Sequence, residues 1–171
     1  MGLFSKKTPE EKAQKKEKSV MFLGESLQAI GKIPAGKCVG LSLKPTDQVL
    51  NLRHDKTDIT LPYARLRGFK LEDEVTLAKS GSGIGRAIVG GALFGGAGAI
   101  VGQNSKKGKT NVKWIGTLSY EDKEGNFKEL SFIQWGMTGH YEGDSKHYAA
   151  AQFENTINEI VSRYADDITE L

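Results

Sequence analysis

The chain is poor in the residues that staple or ligate. Cys38 is its only cysteine among 171 residues, so no intrachain disulfide can form, and a chain of this length has enough core to fold without one. A lone thiol fits a reducing compartment. Histidine is scarce as well: His54 falls in an expected turn, and the spacing of His140 and His147 matches no common metal-ligand pattern. No resident metal or other cofactor is expected. Excess charge of one sign is also missing, because 24 Lys and Arg face 21 Asp and Glu for a net charge of +3. That balance gives no reason to expect nucleic acid as a partner. The start, Met1-Gly2-Leu3-Phe4-Ser5-Lys6-Lys7, lacks the apolar run and small-residue cleavage site of a secretory signal. Lys6 stands where a myristoylation motif requires Ser or Thr. The expected location is cytoplasmic.

Catalytic groups are equally sparse. Cys38 opens an apolar run and reads as a small buried hydrophobe. Glu72-Asp73-Glu74 is consecutive, so on a strand its carboxylates point to alternating sides, as on a solvated edge. No set of nucleophile, base and orienting acid can be assembled, and the chain is expected not to be an enzyme.

Glycine is abundant. There are 21, and nine of them fall between Gly81 and Gly102. Around this stretch the chain divides into a charged tail or helix over 1–18, a lead-in segment over 19–35, and one domain over 36–168 that contains the insertion 80–109. In the tail, Thr8-Pro9-Glu10-Glu11 marks a helix start with a capping box. No apolar stripe follows, so a solvated helix is expected; Leu3 and Phe4 with the nearby lysines offer at most a weak anionic contact. Val20 to Ile33 reads as a short helix or an irregular segment.

From Cys38 the apolar period becomes two. The runs 38–43, 49–53, 58–61 and 66–77, separated by polar turns, predict short antiparallel strands. Beyond the insertion, 112–120 and 127–135 predict two more, with Trp114 and Trp135 as expected core residues. The chain closes on a helix from about Ser145 to Asp167, whose Ala149, Phe153, Ile157, Ile160, Tyr164 and Ile168 form one stripe. That stripe must lie on the sheet.

The glycine-rich stretch admits three readings. As a phosphate cradle it fails on spacing. The dinucleotide fingerprint needs glycine where Arg86, Ile88 or Val101 stands, and no parallel-strand alternation places a helix N-terminus behind the loop. As a glycine zipper it fits better: Gly83, Ala87, Gly91, Gly95 and Ala99 recur every four residues, which lets another backbone approach closely. Ile88, Leu93, Phe94 and Ile100 cover the remaining faces, and no charge occurs from Ala87 to Ser105. Arg86 precedes that run, and Lys106, Lys107 and Lys109 follow it. A spanning helix needs ~20 mainly apolar residues, and Gly95-Gly96-Ala97-Gly98 interrupts this one. A bent helical hairpin is expected, dipping into a membrane or packing on sister subunits, with the four cations at headgroup level. The third reading is an excursion that packs on protein alone.

Strands, excursion, two long strands and closing helix together resemble the bacterial pleckstrin-homology-like (PH-like) domain. The resemblance covers about 36–168. It is carried by Leu61-Pro62-Tyr63-Ala64-Arg65-Leu66-Arg67-Gly68-Phe69, by Ser80-Gly81-Ser82-Gly83-Ile84-Gly85-Arg86-Ala87-Ile88-Val89-Gly90-Gly91, and by Phe94-Gly95-Gly96-Ala97-Gly98-Ala99-Ile100-Val101-Gly102 with its basic exit. It implies a mainly β, α+β fold: a bent antiparallel sheet or partial barrel closed by a C-terminal amphipathic helix, with a Gly-rich helical hairpin inserted. Relatives that bind inositol phosphates use a basic pair near the first hairpin. Lys44, Arg53 and Lys56 are available here, but Leu52-Arg53-His54-Asp55 departs from that pair, so the lipid specificity does not carry over. Fold and hairpin together lead to the expectation of a non-catalytic PH-like module, peripheral at the inner face of an anionic membrane, that forms homo-oligomers through the hairpin of 81–105. The alternative is a soluble scaffold using the hairpin for protein contacts.

Overall fold

A computed structural model describes residues 8–80 and 112–169, with side chains through Ala165. Helix α1 (Pro9–Ser19) precedes strands β1 (Met21–Ser26), β2 (Cys38–Lys44), β3 (Val49–His54) and β4 (Thr57–Pro62). A 3-10 turn (Tyr63–Arg65) leads to β5 (Leu66–Asp73) and helix α2 (Glu74–Lys79). Then come β6 (Val112–Glu121), β7 (Phe127–Gln134), the short β8 (Glu142–Gly143) and helix α3 (Tyr148–Thr169). The strands form one antiparallel sheet in the order β4-β3-β2-β1-β7-β6-β5, and β8 adds to β6. The sheet is not closed, since β4 and β5 are not paired to each other.

The hairpins follow from their turn residues. Gln48 and Asp55 take left-handed backbone, a conformation whose cost polar side chains such as Asp reduce by local hydrogen bonding. At the β6–β7 turn the Asp122 carboxylate accepts from the backbone N–H groups of Glu124 and Asn126. Alternation then sends Phe22, Leu41, Leu50, Leu52, Phe69, Leu118 and Phe132 into one core on the inner face, where α3 packs on β5 and β1. Phe22 sits among three other rings, 5.1 Å from Phe69, 6.3 Å from Phe132 and 5.9 Å from Phe153. Two glycines make room for them. A Cβ on Gly116 would lie 2.5 Å from Phe69 Cζ, and one on Gly24 would lie 2.8 Å from Phe132 Cβ.

Several expectations change. The segment from Val20 is not helical: Val20 and Phe22 are buried and Met21 and Leu23 are exposed, so β1 runs at period two. The fourth run stops at Asp73, because that side chain caps α2, which makes Val75 and Leu77 helical. The buried stripe of α3 begins at Ala150, with Ala149 exposed, and continues through Phe153, Ile157 and Ile160. Steps of three and four place it facing the sheet. The side chain of Ile168 lies outside the described residues. Trp114 is buried in the core, whereas Trp135 is half-exposed, its ring 5.1 Å from that of His140.

The amino-terminal helix is docked. Its capping box forms as expected, with Thr8 Oγ1 accepting from the Glu11 N–H and the Glu11 carboxylate from the Thr8 N–H. But Glu17 is buried: its carboxylate accepts from Arg163 at 2.5 Å and from the Tyr63 hydroxyl at 3.3 Å. Burial, and then the Glu17 charge, push the Tyr63 hydroxyl well above its ordinary pKa. Lys16 reaches Glu159 at 2.8 Å.

The two ends of the sheet differ. Along β5, α3 supplies partners for the outward backbone: Asn158 Oδ1 accepts from Phe69 N–H, Asn158 Nδ2 donates to Phe69 C=O, and Glu154 accepts from Leu71 N–H. β4 has no such cover among the described residues. Among the described residues, no helix is long and apolar enough to cross a membrane.

Candidate functional site: the neck on the outer face

Inner and outer faces alternate along β6. Trp114, Gly116 and Leu118 look into the main core, so Ile115 faces out. There, Ile115 and its cross-strand partner Ile133 meet Leu77 of α2, and Leu27 and Ala78 complete a second, smaller core. This patch holds α2 flat on the outer face. Segment 81–111 leaves from the end of α2 and returns at Val112.

The neck is fastened from several directions. Asp73 Oδ1 accepts from the Thr76 N–H at 2.8 Å, and Asp73 Oδ2 accepts from the Thr76 hydroxyl at 2.6 Å. Asp73 pairs with Trp114 in the β5–β6 register. Glu74 Oε1 accepts from the backbone N–H of Lys113 at 3.1 Å, joining the outgoing helix to the returning strand. β8 pairs with Val112 and Lys113, and Trp114 Nε1 donates to the Gly143 carbonyl at 3.1 Å. Of the three consecutive carboxylates, one caps a helix and one bridges the neck, while Glu72 pairs with Lys70 at 2.7 Å. They are not a solvated strand edge.

Asp73 carries a pH dependence. Burial pushes its carboxyl up, but hydrogen bonds from the Thr76 hydroxyl and backbone outweigh that and hold it below its ordinary value. A depressed acid stabilises the fold above its unfolded pKa, near 3.9, and loses that contribution as pH falls through the folded value. Asp73→Ala is therefore expected to cost about 1 kcal/mol at neutral pH. The gap to wild type should narrow as pH falls below ~4 and through the folded value, whereas Asp73→Asn, a neutral cap, should keep most of the cap at both pH values. Urea unfolding at neutral and acid pH checks this; a gap independent of pH would contradict it.

The remaining outer face, over β1–β3, is open. Met21 and Leu23 are exposed there beside Cys38, Gly40 and Ser42, around a depression of about 550 Å³. Burial, and then the Glu25 charge, raise the pKa of the Cys38 thiol, so it is not an activated nucleophile. The Glu25 carboxylate accepts from His140 Nε2 at 2.8 Å, and His54 Nδ1 lies 2.9 Å from the Cys38 carbonyl. The ring of His147 packs on Tyr141 instead. Each histidine has its own local partner, and no group of three metal-ligating side chains occurs among the described residues.

The expected site residues divide sharply. Gly83, Ala87, Ile88, Gly91, Leu93, Phe94, Gly95, Ala99 and Ile100, with Arg86, Lys106, Lys107 and Lys109, lie outside the described residues. The basic residues of the first hairpins are described and do not converge. Arg53 is opposite Gly40 and ion-pairs with Asp58 at 3.6 Å, while Lys44 is opposite Val49 at the other end of the ladder. Four positions of strand separate the two, roughly 13 Å. Sequence reading missed the Glu74–Lys113 link and the Glu25–His140 pair because both depend on strand register. No protein-family model matches the chain, and no curated protein matches it.

Proposed function

We propose that the chain is a non-catalytic PH-like module that associates with membrane and self-assembles through a glycine-rich helical hairpin within 80–109. In this reading the module is cytoplasmic and peripheral at the inner face of an anionic membrane. Gly83, Ala87, Gly91, Gly95 and Ala99 are the close-packing positions, and Ile88, Leu93, Phe94 and Ile100 supply apolar surface. Arg86, Lys106, Lys107 and Lys109 meet headgroups. The strand order, with a helix laid across the inner face, supports the PH-like assignment. The observation that carries the functional reading is the neck: both ends of segment 81–111 are fastened at one place on the outer face, away from the main core. A fastened base resists being pulled into the sheet while the segment engages something else.

Flotation with vesicles containing anionic lipid tests it. Wild type is expected to float, and Gly91→Asp or Gly95→Asp should lose most of that binding, because a buried carboxylate in apolar surroundings costs several kcal/mol. Mass measurement with and without detergent reads self-assembly. A protein that stays monomeric and never floats would end this reading. A charge-free run shorter than a spanning helix favours the second reading, a scaffold whose hairpin packs on protein; it predicts oligomers without flotation.

A further inference from the structure

The open end of the sheet holds an apolar groove. It has a volume of about 460 Å³ and opens where β4 and β5 part. Its walls are Ile59 and Leu61 of β4 and Tyr120 of β6, with Leu52 and Leu130 behind them. Arg65 and Lys123 stand at its rim beside Glu121 and Asp122.

Register decides what β4 offers this groove. Tyr63 N–H donates to the Gln48 carbonyl at 2.9 Å, and the β3–β4 register runs on from there. In an antiparallel ladder, hydrogen-bonded positions alternate, so Thr57, Ile59 and Leu61 bond to β3. The backbone N–H and C=O groups of Asp58 and Thr60 point away from the sheet. Pro62 has no N–H to offer. The corresponding groups of β5 are taken up by Asn158 and Glu154, which is how folded proteins blunt a strand edge; among the described residues, β4 is left as a template.

Charge adds a second constraint. Both rim acids have partners: Glu121 accepts two hydrogen bonds from Arg67, at 2.9 and 2.7 Å, and Asp122 is held by its own turn. Arg65 and Lys123 have no counter-charge among the described residues. An occupant should therefore be apolar in part, anionic in part, and rich in backbone hydrogen-bonding groups. A lipid meets the first two needs and leaves Asp58 and Thr60 unpaired. A second copy of β4 brings one acid, Asp58, already engaged with Asn51 and Arg53.

We propose that this groove docks an extended peptide segment by strand addition to β4. The segment pairs its backbone with Asp58 and Thr60, buries alternate apolar side chains against Ile59, Leu61 and Tyr120, and brings a carboxylate to Arg65 and Lys123.

The test uses the full chain and an acetylated octapeptide of alternating isoleucine and glutamate, with the isoleucine–lysine version as control. Amide NMR should show shifts at Asp58, Thr60 and Arg65 with the glutamate peptide, and slowed exchange of the Thr60 amide. The Arg65→Glu, Lys123→Glu double variant should bind at least ~10-fold more weakly in fluorescence polarisation, with its remaining amide spectrum unchanged. Thr60→Pro removes one outward donor without touching the β3 ladder and should also weaken binding. Equal binding of the lysine peptide, or no shift along β4, overturns the proposal. So does a chain whose β4 amides are protected in a dimer, or anionic vesicles that shift these amides and block the peptide.

Discussion

Phe22→Ala is expected to lower the unfolding free energy by about 3–5 kcal/mol. Phe22 is essentially inaccessible to solvent and touches rings from β5, β7 and α3, so its ring joins the middle of the sheet to the helix that covers it. The neighbours cannot collapse into the gap easily, because Gly24 and Gly116 already bring backbone as close as the rings permit. Edge-on contact between rings adds to what area alone contributes. Phe22→Leu should recover much of the loss, since it refills most of the volume. Chemical denaturation of the three proteins measures it, and a Phe22→Ala protein within 1 kcal/mol of wild type would show the ring cluster to be incidental.

Arg163→Ala is expected to cost about 2–3 kcal/mol, and to do so locally. The two partners are unequal: the Glu17 side chain is 5% exposed and that of Arg163 is 54% exposed. Removing the arginine leaves a carboxylate with only the Tyr63 hydroxyl for company. Burying a charge without its partner is costly, but α1 can undock and hydrate Glu17, so the cost cannot exceed what docking contributes. Hydrogen exchange should therefore quicken over 12–20 while the strand amides of β5–β7 keep their protection. Glu17→Gln in the same background should restore part of the docking, because an amide is far less costly to bury than an unpaired carboxylate. Uniform loss of protection would mean that α1 is part of one cooperative unit with the sheet.

Much of the sheet was legible in the sequence because period two is a local signal. Cys38 to Lys44 and Val49 to His54 announce themselves through alternation and through the turns that bound them. The lead-in segment was misread because Gly24, where a side chain would strike Phe132, removes an apolar residue from the β1 pattern. The fourth strand was drawn too long because Asp73 is both the last strand residue and a helix cap, and periodicity does not see caps. Glu17 looked like one acid in a charged tail; only Arg163, distant in sequence, reveals it as buried. The neck was half legible: the insertion was obvious from its glycines, while the Glu74–Lys113 fastening depends on which residues face each other across β5 and β6. The groove beside β4 had no sequence signal, since an uncovered edge is defined by what fails to lie next to it.

The fastened neck also bears on how the chain folds. β5 and β6 pair over seven positions, yet the connection between them runs from 74 to 111. Loop closure grows with the logarithm of length, so compared with a tight turn this connection adds about 2 kcal/mol of entropic cost to forming that hairpin. The four strands β1 to β4 are nearly contiguous and can assemble early, whereas β5–β6 pairing must wait for a long search. The cap at Asp73 and the Glu74 link act at the end of that search, shortening the effective loop once they form. A segment so placed slows the last stage of folding and destabilises the product slightly, so its length is a handle on the folding rate.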